Sequence, residues 1–579
     1  MSGSVGPIRV VSTSVLFALA LYACGDSSPT STKKIATCGS TSVLTLDVFQ
    51  VATVECSSGG AIQLGGNGAR YVVVPEFAAG GVPNHLTNYV LSDSDAVATP
   101  EIVASRAPSA VATARARPHF GPGERQLRFD GALRAHERAS VAQGRWTEDA
   151  ASSGSSIRAA VTPEAAVVPA VGSVRSFHVI STFSANSTTF KVVNAKLVAV
   201  GTNTLVYLDT LSPPNGFTQT QLGQFSQSID QTFYTMDVDA FGPPSDIDNN
   251  GRVIVLLTPV VNALSPSSQC QTAGFIAGFF DGFDLSGTGV NSNHGEIYYG
   301  IVPDPNGSVS CAHSVAEVNS IAPGTFLHEI QHLISYSQHV VIHGGSPEEG
   351  WLDEGLSIYA QELGSLFYEQ KFPPPTGRTD PNQLLPDSAE GFIADQFVES
   401  FLYAERPDTA TLTLHSDADG GLTWRAGDWL LAHWLGDQKG MSIYKTLDQS
   451  TLTGTANIAA AAGDSFQSLF GDFGLALYTD SIPGVPKSSI PQRDKFTTRT
   501  LREIWAAVGN SGAVGSAGDF PITLRTLSGT ITASMLPGTV SYYQLVTAPS
   551  VGTTRMHFSS PGGSFATELN AQVSIMRIQ

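Results

Sequence analysis

Two histidines and two glutamates in the middle of the chain have the types and spacing of a catalytic metal site. His328, Glu329 and His332 stand in one short segment, and Glu354 follows within Trp351–Ser357. Residues four apart lie on one face of an α-helix, so both imidazoles can bind the same ion. Glu354 supplies a third ligand. The pattern predicts a zinc ion bound by His328, His332 and Glu354.

Such a site predicts metal-assisted hydrolysis of an amide bond. Zinc bound by two histidines and a carboxylate keeps a fourth position for water, whose pKa it lowers to about 7. Glu329 would take the proton as that water attacks a peptide carbonyl. The alternative is that both histidines are ordinary surface or core residues, because this short motif also occurs by chance.

The metal site requires two helices. Around the histidines, apolar residues recur at helical intervals beside a narrow polar stripe, which predicts a mostly buried helix with one edge in water. The start of the second helix is predicted by its capping residues: Ser346 as the cap, Pro347 in the first turn and Glu349 completing a capping box. Glu354 then stands on a largely buried helix, where a carboxylate is costly unless paired or bound to metal.

The segments HEIQH and WLDEGLS resemble the active-site helices of gluzincin metallopeptidases. The resemblance is to the hyicolysin-type family of secreted bacterial peptidases and, more distantly, to aminopeptidases with a WLNEGF-type helix. It covers roughly residues 176–510 and implies an α+β fold with a two-lobed, thermolysin-like zinc peptidase domain. It also implies a zinc-dependent endopeptidase in which His328, His332 and Glu354 bind zinc and Glu329 is the general base.

The metzincin family of zinc peptidases is excluded by the residues after the second histidine. That family needs a glycine three residues on and a third histidine three beyond that. This chain has Ser335 and Gln338 there, and His339 is one position out of register.

The donor of a hydrogen bond to the developing oxyanion departs from the gluzincin pattern. In aminopeptidase-like members a tyrosine stands shortly before a glycine and an apolar helix. The similar segment here, 424–431, has Trp424 in the place of that tyrosine. An indole N–H also donates, but it is less acidic and reaches differently. Trp424, Tyr403 and Arg425 are the candidate transition-state donors.

The N-terminus predicts export. Arg9 precedes an apolar run, too short for a convincing membrane span, that ends in Leu21–Cys24. This ending resembles a bacterial lipobox, which implies cleavage after residues 1–23 and lipidation of Cys24. The alternative is a plain signal peptide with an incidental cysteine. Gly25 follows the cysteine in place of the aspartate that retains lipoproteins in the inner membrane, which resembles lipoproteins sorted to an outer membrane. A Gram-positive cell would instead hold the protein on the outer face of its membrane.

Four cysteines remain after Cys24, an even number suited to an oxidising compartment. Pairing of near neighbours, Cys38 with Cys56 and Cys270 with Cys311, is the simplest of three connectivities. None has CxxC spacing, which argues against a cysteine-bound metal.

Length and charge describe the partners that we expect. The chain has 579 residues, too many for one core, and its net charge of −19 argues against nucleic acid. We expect a monomer in the cell envelope that binds protein or peptide substrates. It is expected to touch the membrane only through a lipid anchor. The alternative is that the protein is released from the cell.

The N-terminal part divides by composition. A Ser/Thr/Pro tether over residues 24–34 precedes strand-like runs and Gly-rich turns over 35–100, which predict a small β domain. Residues 101–175 are rich in Ala, Ser and Arg. This basic segment is predicted to be a flexible linker, with a propeptide cut during activation as the alternative.

The rest of the chain carries the peptidase and a second β unit. Residues 176–510 form the predicted peptidase domain, and residues 515–579 predict a C-terminal β-sandwich. Residues 293–301 predict a strand shortly before the zinc helix. The resemblance to gluzincins implies that this strand is the edge along which an extended substrate pairs.

Asp246, Asp248 and Asn250 form a DxDxNG segment that resembles the start of a calcium loop. Its twelfth position is Leu257 and not the glutamate of an EF-hand. A calcium-bound turn and a plain Asx/Gly turn both remain open.

Two other functions compete with an endopeptidase. A surface-binding lipoprotein that retains a peptidase fold without turnover is favoured only by Trp424. An exopeptidase needs acidic residues that hold a free amine, and the GxMEN-like segment of aminopeptidases is not evident. All four metal-site residues favour the endopeptidase.

Overall fold

The computed structural model describes residues 33–80, 85–93, 122–144, 168–184, 187–286, 289–374, 384–413, 421–512, 514, 518 and 520–579. The predicted signal peptide, Cys24 and nearly all of the tether lie outside these residues. In the described part of the chain, no helix has the length and apolar character needed to cross a bilayer. The described residues form a mixed α and β fold, as expected, with three sheets.

The strands fall into two groups separated by the helical region. They are β1 (Lys34–Thr37), β2 (Val43–Leu44), β3 (Val51–Glu55), β4 (Gly60–Gly65), β5 (Arg70–Phe77), β6 (Thr87–Ser92), β7 (Val174–Ser184), β8 (Ser187–Val200), β9 (Thr204–Asp209), β10 (Val253–Leu257), β11 (Gly278–Phe280), β12 (Ile297–Gly300), β13 (Arg525–Thr526), β14 (Thr530–Met535), β15 (Thr539–Val540), β16 (Tyr543–Val546), β17 (Thr553–Ser559) and β18 (Ala571–Arg577).

The helices lie mainly between β12 and β13. They are α1 (Gly123–Ala142), α2 (Gln219–Ser228), α3 (Tyr234–Phe241), α4 (Pro259–Ala263), α5 (Cys270–Ala273), α6 (Val315–Tyr336), α7 (Gly350–Lys371), α8 (Asp387–Ala404), α9 (Leu422–Lys439), α10 (Ser442–Asp448), α11 (Gly454–Ala462), α12 (Phe466–Thr479) and α13 (Leu501–Asn510).

The N-terminal and C-terminal strands build one two-sheet unit, which corrects the prediction of two separate β domains. One sheet has the order β1-β3-β18-β5-β16-β13, with β15 also on β5, and the other has the order β14-β6-β17-β4-β2. Buried side chains from both ends of the chain, including Tyr89, Phe558 and Ile575, share the core between the sheets. Neither segment can complete its sheets without the other, because β18 lies between β3 and β5 in one sheet and β6 lies between β14 and β17 in the other.

Both predicted disulfides are present. Cys38 is bonded to Cys56, with Cα atoms 4.9 Å apart, and Cys270 is bonded to Cys311, with Cα atoms 6.2 Å apart. The first joins the end of β1 to the end of β3, and the second joins α5 to the loop before α6. The simplest of the three connectivities is therefore confirmed.

A six-stranded sheet of order β11-β12-β10-β9-β8-β7 packs beside the helices. The predicted substrate strand over 293–301 forms β12, but β12 lies between β10 and β11. This corrects the predicted edge: β11 is the outer strand on the side of α6. The local sequence does not reveal this order. Strand β11 comes earlier in the chain than β12, and only the folded structure shows that it pairs with β12 as an antiparallel neighbour.

Helix α6 is the predicted histidine helix, and the apolar residues around its histidines are fully buried, namely Phe326, Leu327, Ile330, Leu333 and Ile334. Ser314 caps it with Glu317 in a capping box. Helix α7 begins at Gly350 and not near Pro347, and its cap residue Glu349 makes no side-chain cap bond. The later start follows from Glu348, whose buried carboxylate accepts hydrogen bonds from Gly454 and Asn457 on α11.

Helix α1 corrects the prediction of a flexible linker over 101–175. Residues 122–144 of that segment are described, and 20 of them form a helix against β11, α5 and α7. Leu127, Phe129 and Leu133 are buried, and the Phe129 ring packs against Phe279 at 5.3 Å between centroids. The sequence did not reveal this helix for two reasons. Its composition is rich in arginine, like that of a linker, and its inward face carries polar as well as apolar side chains.

Candidate active site

His328, His332 and Glu354 converge at the contact between α6 and α7. The two imidazole Nε2 atoms are 3.2 Å apart, and the Glu354 carboxylate lies 3.6 Å from His328 Nε2 and 3.8 Å from His332 Nε2. Atoms bound to one tetrahedral zinc at about 2.0–2.1 Å stand roughly 3.4 Å from each other. The three side chains therefore have the spacing of ligands to a single ion. Together, His328, His332 and Glu354 are called the metal group.

Neighbouring side chains turn both histidines toward this point. His332 Nδ1 lies 2.8 Å from the Asp353 carboxylate and 3.0 Å from the Ser357 hydroxyl, and His328 Nδ1 lies 3.2 Å from Gln361 Oε1. An Nδ1–H that donates to Asp353 or Gln361 leaves the Nε2 lone pair for a metal. Burial, followed by the charge of Arg425, lowers the pKa of His328 well below its usual value, which favours the neutral ligand form.

Asp353 orients His332, and its replacement is expected to weaken metal binding. Burial alone would raise the pKa of Asp353, but His332 lowers it below its usual value, so the group is a carboxylate. The Asp353→Asn variant should bind zinc about 10–100-fold more weakly, because an amide accepts less strongly from Nδ1–H. Competition with a chromophoric chelator measures this affinity. Equal affinities of variant and wild type would exclude this role for Asp353.

Glu329 lies beside the metal group on the same helix. Its Oε2 accepts a hydrogen bond from the backbone N–H of Phe280 on β11 at 3.1 Å, and its Oε1 lies 3.4 Å from the Gln126 amide nitrogen. Burial, with added repulsion from the Asp130 carboxylate, raises the pKa of Glu329 well above its usual value. A carboxyl group with a raised pKa next to a metal site has the character of a general base.

The chemistry of the donor set fits zinc. Both oxygens of Glu354 are buried without a well-aligned hydrogen bond in the described structure, although Arg425 Nη2 is 2.7 Å from one of them. Two neutral imidazoles and one carboxylate that needs a cation match the ligand preference of zinc. A buried carboxylate with no metal and one poorly aligned partner would be costly.

Of the candidate oxyanion donors, Arg425 contacts the metal group. Its Nη2 lies 3.0 Å from His328 Nε2 and 2.7 Å from Glu354 Oε2. Helices α7 and α9 can come close enough for this contact because residue 355 is a glycine. A Cβ there would stand 2.8 Å from the carbonyl oxygen of Asp428 on α9. Tyr403 lies buried against α9, where a Cβ at Gly427 would stand 2.5 Å from its ring, and Trp424 packs at the margin of the main core.

Sequence reasoning missed the polar residues of α1 at this site. Gln126, Asp130, Arg134 and Glu137 are all buried, and ligand atoms of Asp130, His328 and Glu329 lie within 4.8 Å of one another. They follow one another at intervals of four, four and three residues, which places them on one face of a helix. This pattern could have been found in the sequence. The polar stripe of α6, predicted to be in water, lies buried on the side that α1 covers.

The predicted calcium residues lie in a turn before β10. Asp246, Asp248 and Glu296 have carboxylate oxygens within 4.8 Å of one another, so the third acidic group is Glu296 rather than Asn250. The Asn250 side chain is used within the turn: it donates to Asp248 at 2.6 Å and accepts from the N–H of Arg252 at 2.6 Å. These bonds are those of an Asx turn.

Comparison with known proteins agrees with the site at a coarse level. No protein-family model matches the chain. A similar protein is the neutral metalloprotease ShpI of Staphylococcus hyicus, which is 26% identical over 172 residues. The aligned part is 29% of this chain and 36% of that protein, so the chain matches little more than a third of its relative. The similarity and the cluster of His328, His332 and Glu354 support a metalloprotease relationship for this chain.

Proposed function

We propose that this chain is a zinc-dependent endopeptidase that hydrolyses peptide bonds of extracellular or periplasmic proteins. The observation that carries the proposal is the convergence of His328, His332 and Glu354 with Glu329 beside them. Removing zinc with a chelator should abolish hydrolysis of an unfolded protein, and adding back one equivalent should restore it. Hydrolysis that persists in the metal-free protein would contradict the proposal.

The proposed mechanism divides the chemistry between the ion and the side chains around it. When bound, zinc lowers the pKa of water and polarises the carbonyl under attack. Glu329 accepts the proton from the attacking water and later returns it to the leaving amine. Asp353 and Gln361 keep the two imidazoles in place throughout, because they bond to the Nδ1 atoms that face away from the reaction.

We propose Arg425 as the group that stabilises the developing oxyanion, ahead of Trp424 and Tyr403. Arg425→Ala should lower kcat by about 10²–10³-fold with little change in KM, the usual cost of removing one oxyanion donor. Zinc content, measured alongside, separates this role from metal binding, since Arg425 also contacts Glu354. Trp424→Phe is the matched variant and should stay close to wild type. The reverse order of effects would assign the role to Trp424.

The surroundings of the site are proposed as follows. The cleft is that of a two-lobed, thermolysin-like domain over residues 176–510. The protein is exported, anchored through a lipid on Cys24 in the bacterial cell envelope, and works there as a monomer. Labelling with a fatty-acid analogue, lost in Cys24→Ser, tests the anchor.

We also propose a structural calcium ion at Asp246, Asp248 and Glu296. The Glu296 Oε1 accepts from Ser245 and Ile247, while its buried Oε2 has no hydrogen-bond partner in the described structure. Millimolar Ca²⁺ should raise the melting temperature of the protein, and Asp248→Asn should remove that increase, because oxygen ligands with negative charge set calcium affinity. An identical calcium response in the variant would indicate that the segment is a plain Asx turn.

A further inference from the structure

The proposed catalytic residues are closed to any macromolecular substrate. His328, Glu329, His332 and Glu354 are between 1% and 4% exposed. A cavity that touches His332 but none of the other three residues, and that is lined also by Arg134 and Asp353, has a volume of about 10 Å³. This is no more than one water molecule requires. A peptide chain can reach Glu329 only if some part of the protein moves away.

Helix α1 is the part that covers the site, and it occupies the outer edge of β11. The Gln126 amide donates to the carbonyl oxygen of Gly278 at 2.7 Å and accepts from the N–H of Ala277 at 2.8 Å. Arg134 donates to the carbonyl oxygen of Phe280, and Glu137 accepts from the N–H of Gly282 at 2.6 Å. An extended substrate that adds to this edge needs the same backbone groups.

The polar side chains of α1 are spaced along the helix so that they reach successive backbone groups of β11 and of the residues just after it. From Gly278 to Gly282, β11 and the two residues after it span at most roughly 13 Å. From Gln126 to Glu137 a helix advances roughly 16 Å. The polar face of α1 therefore runs along the outer edge of β11 and past its end, because its side chains bond to Gly278 and Phe280 in the strand and to Gly282 in the 3₁₀ turn that follows.

Asp130 stands at the middle of this polar face, beside His328 and Glu329. Its carboxylate accepts from Gln126 at 2.8 Å, and its ligand atoms lie within 4.8 Å of those of His328 and Glu329. Two buried carboxylates this close repel each other unless a cation lies between or beside them. Arg425 and Arg134 already place positive charge near Asp130. A metal ion on His328, His332 and Glu354 would add a further cation beside the buried carboxylates.

We propose that α1 is an intramolecular inhibitor that occupies the substrate's place along β11 and presents Asp130 as an additional ligand to the metal. This inference rests on the proposed metallopeptidase function. Asp130 takes the coordination position that water needs, and Gln126 takes the backbone groups that bind substrate. The chain as described is then the latent form, and hydrolysis requires α1 to leave.

The interface of α1 is suited to release. Four of its inward side chains are polar, namely Gln126, Asp130, Arg134 and Glu137, and only Leu127, Phe129 and Leu133 bring larger apolar surface. Polar groups on α1 and on β11 can both be satisfied by water after separation, and the apolar area that withdrawal exposes comes mainly from Leu127, Phe129 and Leu133.

The test uses residues 25–579 with Co²⁺ in place of zinc, because Co²⁺ absorbs visible light according to its ligands. Wild type, Asp130→Asn and the double variant Gln126→Ala/Asp130→Asn are compared. Glu124→Gln on the exposed side of α1 is the matched control. Three quantities are measured: the Co²⁺ spectrum, the affinity for acetohydroxamate as a small metal-directed ligand, and the rate of hydrolysis of an unfolded protein.

The proposal predicts a changed Co²⁺ spectrum in Asp130→Asn, and acetohydroxamate affinity and hydrolysis that both rise at least about tenfold, as expected if one in ten molecules or fewer is open in wild type. The double variant should show larger rises, and Glu124→Gln none.

Identical spectra and identical acetohydroxamate affinities in wild type and both variants would overturn the proposal, whether or not the protein hydrolyses peptides. A changed spectrum and raised affinity without hydrolysis in any variant would uphold Asp130 as a ligand and reject the peptidase. Failure of wild type and variants to bind Co²⁺ would reject both.

Discussion

Glu329→Gln should lower kcat/KM for peptide hydrolysis by about 10²–10⁴-fold while leaving zinc binding intact, because general-base catalysis contributes a factor of this size. The amide of glutamine has nearly the same shape as the carboxyl group but cannot accept the proton from water. Glu329 is adjacent to His328 yet is not one of the three proposed ligands, so the ion should remain bound. Hydrolysis of an unfolded protein and zinc content are measured on the same samples.

The Glu329 comparison is best made in the Asp130→Asn background, where the proposed inhibitor is weakened. The matched control is Glu317→Gln, a change at the start of the same helix in the capping box. It should keep its activity. Equal rates in the Glu329 variant and its parent would remove Glu329 from the mechanism, even if zinc were bound.

His332→Ala is expected to remove zinc and hydrolysis together. Its Nε2 faces His328 and Glu354, and its Nδ1 is already held by Asp353. A ligand present at a thousand times its Kd stabilises a protein by about 4 kcal/mol, so zinc should raise the melting temperature of wild type but not of the variant. The readouts are bound zinc by atomic absorption and melting curves with and without zinc.

His343→Ala provides the matched control for the histidine prediction. His343 is exposed and follows α6 in the same part of the chain. The variant should bind zinc like wild type. A His332→Ala protein that still binds one zinc with unchanged affinity would show that the metal is held elsewhere.

The clustering of His328, His332 and Glu354 was predictable because its information is local. The spacing of His328 and His332 sets their geometry through the helix alone, and Glu354 stands in a short segment that resembles gluzincin helices. The structure brings all three together within ligand distance. Cys270 and Cys311, at moderate separation along the chain, were also paired correctly.

The strand order was not predictable, because it depends on pairing between distant segments. Strand β18 pairs with both β3 and β5, more than 490 residues earlier in the chain. No local pattern in either segment specifies that partner. For the same reason β12 was taken for the edge strand, although its sequence IYYG, buried at all four residues, suits a strand with neighbours on both sides.

Helix α1 was missed for a different reason. Its hydrophobic pattern is weak, because the face it buries is partly polar, and arginines on the outside resemble a solvated linker. Periodicity searches look for apolar stripes, whereas this stripe consists of Gln126, Asp130, Arg134 and Glu137. Its polar partners lie on β11 and α6, elements that only the folded chain brings near.

Mass-spectrometric mapping of new termini tests the central claim most directly. Residues 25–579, as wild type, Asp130→Asn and Asp130→Asn/Glu329→Gln, are incubated with a denatured protein mixture, with zinc or with a chelator. We predict internal cuts by Asp130→Asn with zinc, fewer by wild type, and none by the double variant or in chelator. Internal cuts that are unaffected by chelation or by the loss of Glu329, or their absence from every zinc-loaded sample, would contradict a zinc endopeptidase.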